Sequence, residues 1–504
     1  MAVMPERLSR PAVALIFAVL GLALVPFADL GWAGHDPWAA LGRMARGFLA
    51  PDFGAVENIA TALVSTVAFA LCGVAVGAMA GLALAPFWGS ALVRGLSIAL
   101  RSVHELFWAL FLMQVLGISP ATGVLAIALP YAGIFAKVFA EQIEEADPRP
   151  AQVLPPGTDA LSRFLWARLP LVWPGMQSYV LYRVECGLRS SAVLGFIGLP
   201  TLGFQLDAFF RQGDYGAASA IMILYVLLIA TIPLWLRLRA ALLWLAAATA
   251  WLAALDHPPM GSGALWRFLT VDIVPAPLRR GEGAGGLLTW LGDILWTQGL
   301  PGAWATIVVG QIALVLTGAI AFLSFGLIVR RVAGRARLPG HMALVVLRSF
   351  PEYMLAYLFL QVFGPSMLPA ILALALHNGA IIGHLLGREA EGFPLRRDAP
   401  KGATLWAWEL APRLFGRFVA LCLYRWEIIL RETAVMGLLG IATLGFFIDS
   451  AVAELRLDRA LLLLVVTGAI TAGADAASRV VRSRMGAVRE VSARAEALRP
   501  LETG

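Results

Sequence analysis

Ten charged residues stand inside long apolar runs: Arg101, Glu105, Arg183, Glu185 and Arg189, then Arg348, Glu352, Arg425, Glu427 and Arg431. An ionised side chain in hydrocarbon is expensive, so such residues face one another, a water-filled path or a ligand. Arg101–Glu105, Glu185–Arg189, Arg348–Glu352 and Glu427–Arg431 are each four apart, a spacing that sets opposite charges on one helix face. Two readings stay open. In one, every arginine is paired with a glutamate and the pairs fix helix register. In the other, each set keeps a surplus of positive charge, three arginines against two glutamates, with Glu432 an unmatched extra opposite Ser190. A surplus of that sign would line a pathway for an anion, although pathways also need weak binding and fast release.

The remaining reactive residues suggest no catalysis. His35, His104, His257, His341, His377 and His384 show no HExxH or other metal spacing. His377 and His384, seven apart on one helix face, lack a carboxylate partner, so no metal or other cofactor is expected. Cys72, Cys186 and Cys422 form no CxxC and sit in apolar stretches as small core residues. Lys137 and Lys401 are the only lysines, and neither closes a GxxxxGK[ST] phosphate loop. The chain is therefore not expected to be an enzyme, and any ATP-driven work needs an ATPase on another subunit. Its arginines are scattered at the ends of apolar runs, not gathered with aromatics on one face, which argues against a nucleic-acid partner.

The elements that must hold these charges are membrane helices. Of the 504 residues 60% are hydrophobic and 14% charged, and mean hydropathy is +0.79. That places the chain in a lipid bilayer and gives an all-α polytopic membrane protein. Twelve spans are expected, near 11–29, 57–87, 92–116, 120–143, 174–199, 217–236, 238–255, 301–329, 340–364, 367–387, 417–442 and 459–478. The first follows Arg7 and Arg10 and reads as an uncleaved anchor. Placing both termini in the cytoplasm puts Lys and Arg in inner segments over outer ones by about three to one. Segments 36–56 and 286–299 read as helices lying along the outer interface.

An internal repeat organises the spans. Arg101-Ser-Val-His-Glu105 through Gln114-Val-Leu-Gly117 matches Arg348-Ser-Phe-Pro-Glu352 through Gln361-Val-Phe-Gly364, offset by 247. Tyr182-Arg-Val-Glu185 matches Tyr424-Arg-Trp-Glu427, offset by 242, and a glycine pattern follows in both copies, Gly195–Gly203 and Gly437–Gly445. Those glycines suit close helix packing, with a gate or receptor contact as the other reading. Two six-helix halves result, 1–237 with a core repeat near 57–236 and 238–504 with a core repeat near 301–480. An even number of spans per half sets both the same way up around an axis along the membrane normal.

Between the fourth and fifth spans of each half lies a hydrophilic cytoplasmic segment. One runs from Glu144-Glu-Ala-Asp-Pro through Pro155-Pro-Gly157 to Leu169-Pro170, the other from Arg388-Glu-Ala-Glu-Gly through Pro400-Lys-Gly402 to Ala411-Pro412. A glycine followed by a proline ten to thirteen residues on reads as a turn and a helix stopped before the next span.

These segments resemble the coupling loops of binding-protein-dependent ABC importer permeases. The stretches Arg101-Ser-Val-His-Glu-Leu-Phe-Trp-Ala-Leu and Tyr182-Arg through Ala192-Val-Leu-Gly-Phe-Ile-Gly198 resemble, more specifically, the phosphonate/phosphite permease family. The resemblance implies two MetI-like type I permease domains fused in tandem in a bacterial inner membrane. It implies a cytoplasmic ABC ATPase dimer and an external solute-binding protein as partners, and alternating access for phosphonate or a related oxyanion. Gly157 and Gly402 would be the turn glycines of the coupling helices, and Pro170 and Pro412 would close the loops. The family's Glu-Ala-Ala before the glycine is replaced here by Ala151-Gln-Val and Arg396-Arg-Asp. Two other readings are a secondary transporter with parallel repeats and a permease-like membrane scaffold. Against the first, only Leu236 to Leu238 separates the sixth and seventh spans, where a long linker is usual.

Overall fold

The computed structural model describes residues 9–31, 36–155, 157–258, 261–396 and 398–485. Arg7, His35, Pro156, Arg397 and the arginines beyond 485 lie outside them. Among the described residues the chain is all-helical, without strands. The principal helices are α1 (Arg10–Leu24), α2 (Ile59–Leu84), α3 (Ala91–Ser102), α4 (Glu105–Leu116), α5 (Pro120–Glu145), α6 (Leu169–Val193), α7 (Leu202–Gln212) and α8 (Tyr215–Ala230). They continue with α9 (Leu238–Ala254), α10 (Leu300–Ser324), α11 (Arg337–Ser349), α12 (Glu352–Phe363), α13 (Met367–Glu391), α14 (Ala411–Met436), α15 (Leu444–Ala453) and α16 (Leu457–Arg484).

Among the described residues, six helical stretches are long and apolar enough to cross a bilayer, or up to ten if four bent helix pairs each count as one span. The shorter apolar helices α8 and α9 stand beside them. All twelve expected spans fall on these helices, but twelve straight crossings are not what the chain forms. The third and ninth are sharply broken: α3 meets α4 at 94° and α11 meets α12 at 96°. The fifth and eleventh, with the helices that follow them, bend by 53° and 48°.

The two right-angle breaks have different local causes. In the second copy Pro351 stands in extended backbone at the break, where it cannot continue a helix. In the first, His104 takes that place and accepts the Leu106 amide on Nδ1 at 3.2 Å. An imidazole cap thus satisfies a helix N-terminal amide that would otherwise be orphaned. The bends after α6 and α14 are packed too closely for a side chain. A Cβ added at Gly203 would overlap the Ala192 carbonyl, and one at Gly445 the Ala434 carbonyl. Close packing is therefore the reading of these glycines that the fold supports.

Two compact units result. One comprises the described residues of Ala39–Gly292 and Ser450–Leu464. In it α2 packs along α5 and against α6, and α9 lies on α2. Gly73 and Gly77 face Ile127 and Tyr131 so closely that a Cβ would stand 2.7 and 2.8 Å from theirs, a small-residue seam of the kind that packs helices in membranes. The Trp251 indole donates to Ser65 Oγ at 3.0 Å, fixing α9 to α2.

The other unit comprises the described residues of Met1–Trp38, Asp293–Asp449 and Val465–Gly504. Here α10 packs along α13 and against α14, and α1 lies on α10. Gln311 donates to the Phe17 carbonyl at 3.2 Å, and the Phe17 and Trp426 rings meet edge to face at 5.0 Å. Each unit therefore carries chain from the other half: α1 joins the second copy of the repeat, and α9, with the chain to Gly292 and Ser450–Leu464, joins the first.

Candidate functional site

Each unit holds a buried polar node where its right-angle break meets the two long helices beside it. In the first copy Glu105, the opening residue of α4, accepts from Ser190 Oγ of α6 at 2.5 Å. The same hydroxyl lies 3.4 Å from the Tyr131 hydroxyl of α5. His104 Nε2 stands 3.7 Å from Glu105 Oε1. The node continues along α6, where the Arg183 guanidinium lies over the Tyr131 and Tyr179 rings at 5.8 and 5.2 Å and donates to the Tyr179 hydroxyl at 2.9 Å. A cation over an aromatic face is held by the ring quadrupole.

The second copy builds the same node from different groups. Glu432 occupies the position of Ser190 and Asn378 that of Tyr131, and Asn378 Nδ2 donates to Glu432 Oε2 at 3.0 Å. Arg425, the counterpart of Arg183, donates to Asn378 Oδ1 at 3.2 Å. Glu352, the counterpart of Glu105, lies 3.8 Å from His377 Nε2, so His377 does have a carboxylate beside it, contrary to the expectation from sequence spacing. Glu352, His377, Asn378 and Glu432 are all buried. Glu432 is therefore part of the node and not an extra. Counting it, the second set has three arginines to three glutamates, and the formal positive surplus belongs to the first copy alone.

The expected ion pairs fare unequally. Glu185 and Arg189 approach to 3.8 Å on α6, their side chains 24% and 18% exposed. Glu427 and Arg431 share the continuous helix α14, so their spacing keeps them on one face. Arg101–Glu105 and Arg348–Glu352 do not share a face, because the chain turns through a right angle between the members of each pair. Arg101 is buried at the end of α3, where that helix crosses α5 at Gly133.

The cytoplasmic-type segments also differ from expectation. Gly157 and Gly402 have φ of +94° and +68°, the left-handed conformation a turn glycine supplies. Pro170 and Pro412, however, close no loop. Each lies within the first turn of a long helix, and helical structure runs unbroken from Leu161 to Ile197 and from Gly402 to Leu439. A π-turn before each proline makes this possible. Leu169 N–H bonds to the Phe164 carbonyl and Ala411 N–H to the Trp406 carbonyl, one residue farther back than in an α-helix. The wider turn absorbs the missing donor of the proline that follows.

These π-turns present a pair of residues that a search for charges passes over. Trp166 and Trp408, offset by 242 as in the adjoining repeat, are 78% and 79% exposed. Leu161 and Leu165 are exposed beside Trp166. The base of the second turn is anchored by Leu405 and Leu410, buried with Phe325, Leu386 and Leu414. Glu409 lies between Arg396 and Arg413, at 3.1 and 2.7 Å. In the first segment the Ser162 amide donates to Asp159 at 2.9 Å. That bond holds the Asp159 carboxyl below the usual carboxylate range, as the Arg149 guanidinium does for Asp147.

Comparison with known proteins relates the chain to one family. The chain is 26% identical over 425 residues to the phosphate-import permease protein PhnE of Mycolicibacterium smegmatis, a match covering 78% of each chain. It is 33% identical over 139 residues to the phosphite transport system permease protein PtxC of Stutzerimonas stutzeri, 27% of this chain and 50% of that one. Over 104 residues, 20% of this chain, it is 31% identical to an Escherichia coli K12 protein described as a cryptic phosphonate transport system permease, PhnE2. No family model and no solved structure matches the chain. The match to PhnE2 covers 85% of that protein, and with it the chain belongs to the phosphonate and phosphite transport permease family.

Proposed function

We propose that the chain supplies the membrane pathway of an ABC importer for phosphonate, phosphite or phosphate. A separate cytoplasmic ATPase dimer drives it, and an external solute-binding protein delivers the substrate. The two permease domains are 1–237 and 238–504 in tandem, set in a bacterial plasma membrane with both termini inside. The names of the relatives support the oxyanion, and the arginine distribution supports the orientation.

One observation carries the mechanism. The helix that exposes Trp166 is the helix that carries Arg183, Glu185, Arg189 and Ser190, and Trp408 has the same relation to Arg425, Glu427, Arg431 and Glu432. From Trp166 to Ser190 is 24 residues, about 36 Å of helix at 1.5 Å per residue. A push on the exposed tryptophan by a closing ATPase dimer therefore reaches the polar node along a continuous rod. A loop ended by a proline stop would not transmit it. Arg183 and Arg189 in the first copy, and Arg425 and Arg431 in the second, are the groups we assign to the anion path. Arg101, Glu105, Arg348 and Glu352 brace the breaks.

The substrate assignment is tested on the purified cognate binding protein with phosphonate, phosphite, phosphate and sulfonate. Binding of one of the three phosphorus oxyanions in preference to sulfonate is expected. Preference for a non-anionic solute would overturn the assignment.

A further inference from the structure

The second copy of the repeat is longer than the first between its first long helix and its break. The first copy crosses from Phe87 to α3 through residues 88–90, whereas the second crosses from Ile328 to α11 through 329–336, Val-Arg-Arg-Val-Ala-Gly-Arg-Ala. The longer connection is firmly anchored. Val332 packs on the buried cluster around Phe325, Leu386 and Leu405. The Arg330 amide donates to Glu391 Oε2 at 2.8 Å. Arg337 lies 3.6 Å from Glu391 Oε1 and donates to the Ile328 carbonyl at 3.0 Å.

So anchored, the connection sets Arg330 and Arg331 opposite Lys401 around a cleft of about 670 Å³, with Val332, Ala333, Gly334 and Gly402 completing its wall. Among the described residues none of the three cations has a carboxylate within ion-pair distance, and all three are exposed. Three like charges around one cleft repel one another and attract a multivalent anion. Their surroundings indicate which one. Leu323, Leu327, Leu338 and Met342, on the helical turns either side of the connection, are exposed by 69, 41, 71 and 56%. Leu327 packs on Gly340 of α11. Cations beside an apolar rim at the end of a membrane helix fit a headgroup with acyl chains attached, not a free ion.

We propose that this cleft binds the phosphate headgroup of an anionic phospholipid, with the acyl chains lying along the Leu323–Met342 rim. Bound there, the lipid bridges the connection to Lys401 and Gly402 within the second coupling segment, whereas the first copy's connection, residues 88–90, carries no cation. The coupling consequence rests on the function proposed above, but the binding does not.

The test uses the full chain, purified and placed in nanodiscs of neutral lipid doped with phosphatidylglycerol or cardiolipin. Native mass spectrometry counts the anionic lipid retained. Lipid should be retained by the unaltered chain and by Arg335→Gln, whose side chain is outside the cleft lining. Retention should weaken by about fivefold for each cation removed in Arg330→Gln, Arg331→Gln and Lys401→Gln. Excess inorganic phosphate should not displace the lipid. Equal retention by the triple variant, equal loss in Arg335→Gln, or displacement by phosphate at comparable concentration would each overturn the proposal. So would cations occupied only when the ATPase is added, since they would then meet an acidic face of that protein. Loss of ATP-dependent uptake without loss of lipid would leave the lipid site standing and count against the proposed function alone.

Discussion

Arg189 is the residue at which the structural and transport readings of the buried charges part. Its guanidinium lies 3.8 Å from Glu185, and both side chains keep some exposure, so the pair is neither a sealed core contact nor a free surface one. Reversing the charge places two carboxylates four apart on one face and removes a cation from the path. We expect Arg189→Glu to assemble normally and to lower oxyanion uptake by about tenfold or more, equivalent to about 1.4 kcal/mol of barrier. Unchanged uptake with unchanged assembly would return the pair to a purely structural role. The ionisable members of the nodes were legible as charges in apolar runs. Tyr131 and Asn378 were not, and Ser190 entered only as the position opposite Glu432, because a scan for charge passes over neutral hydrogen-bonding groups. Only the fold brings Ser190 to Glu105 and Asn378 to Glu432, across 85 and 54 residues of chain.

The elements that matter most are the two helices that run from an exposed tryptophan to a buried node. If each is a rod pushed from its cytoplasmic end, truncating the contact should weaken coupling and spare the fold. Trp166→Ala and Trp408→Ala are each expected to reduce ATPase-subunit binding by about 2 kcal/mol, roughly thirtyfold, as buried interface tryptophans do. The readout is co-purification of the ATPase together with its stimulation by the permease. Normal binding and stimulation in both variants would place the contact elsewhere. The first segment also has an acid limit. Asp159 has a depressed pKa in the fold, so its cap is present above the unfolded carboxylate pKa, about 3.9, and is lost as pH falls through the folded value. Protection of the Ser162 amide, measured against its intrinsic exchange rate, should therefore persist at the unfolded carboxylate pKa of about 3.9 and be lost only at lower pH. Asp159→Ala should show fast exchange at every pH.

What was illegible at this scale has local causes. A hydropathy window averages across a two-residue break, so 92–116 and 340–364 each look like one span although each turns by more than 90°. Proline is read as a stop because it usually removes an i→i−4 bond. The π-turns before Pro170 and Pro412 had already widened the ladder, and no short sequence signal announces that. Trp166 and Trp408 were visible at the repeat offset, but they sit in the connecting segment, where the offset between the copies changes from 247 to 242.

For the whole molecule, duplication is the feature that sequence and structure express most alike. Two copies of a helix break, a polar node, a continuous rod and an exposed tryptophan recur at fixed offsets. The copies are unequal in their chemistry. The first carries the formal positive surplus, whereas the second balances its arginines with Glu432 and adds the cationic connection before α11. The exchange of α1 and α9 between the units was not readable from the repeat. Periodicity assigns a helix to a stretch of chain, but the partner it packs on follows from surface shape, such as Phe17 against Trp426.

Oxyanion uptake into vesicles holding the purified chain tests the central claim most directly, measured with and without its ATPase subunit and with ATP or a non-hydrolysable analogue. Uptake should require the chain, the binding protein, the ATPase and hydrolysable ATP together, and should vanish when any one is withheld. Uptake that persists without the ATPase, driven by an ion gradient alone, would contradict the account.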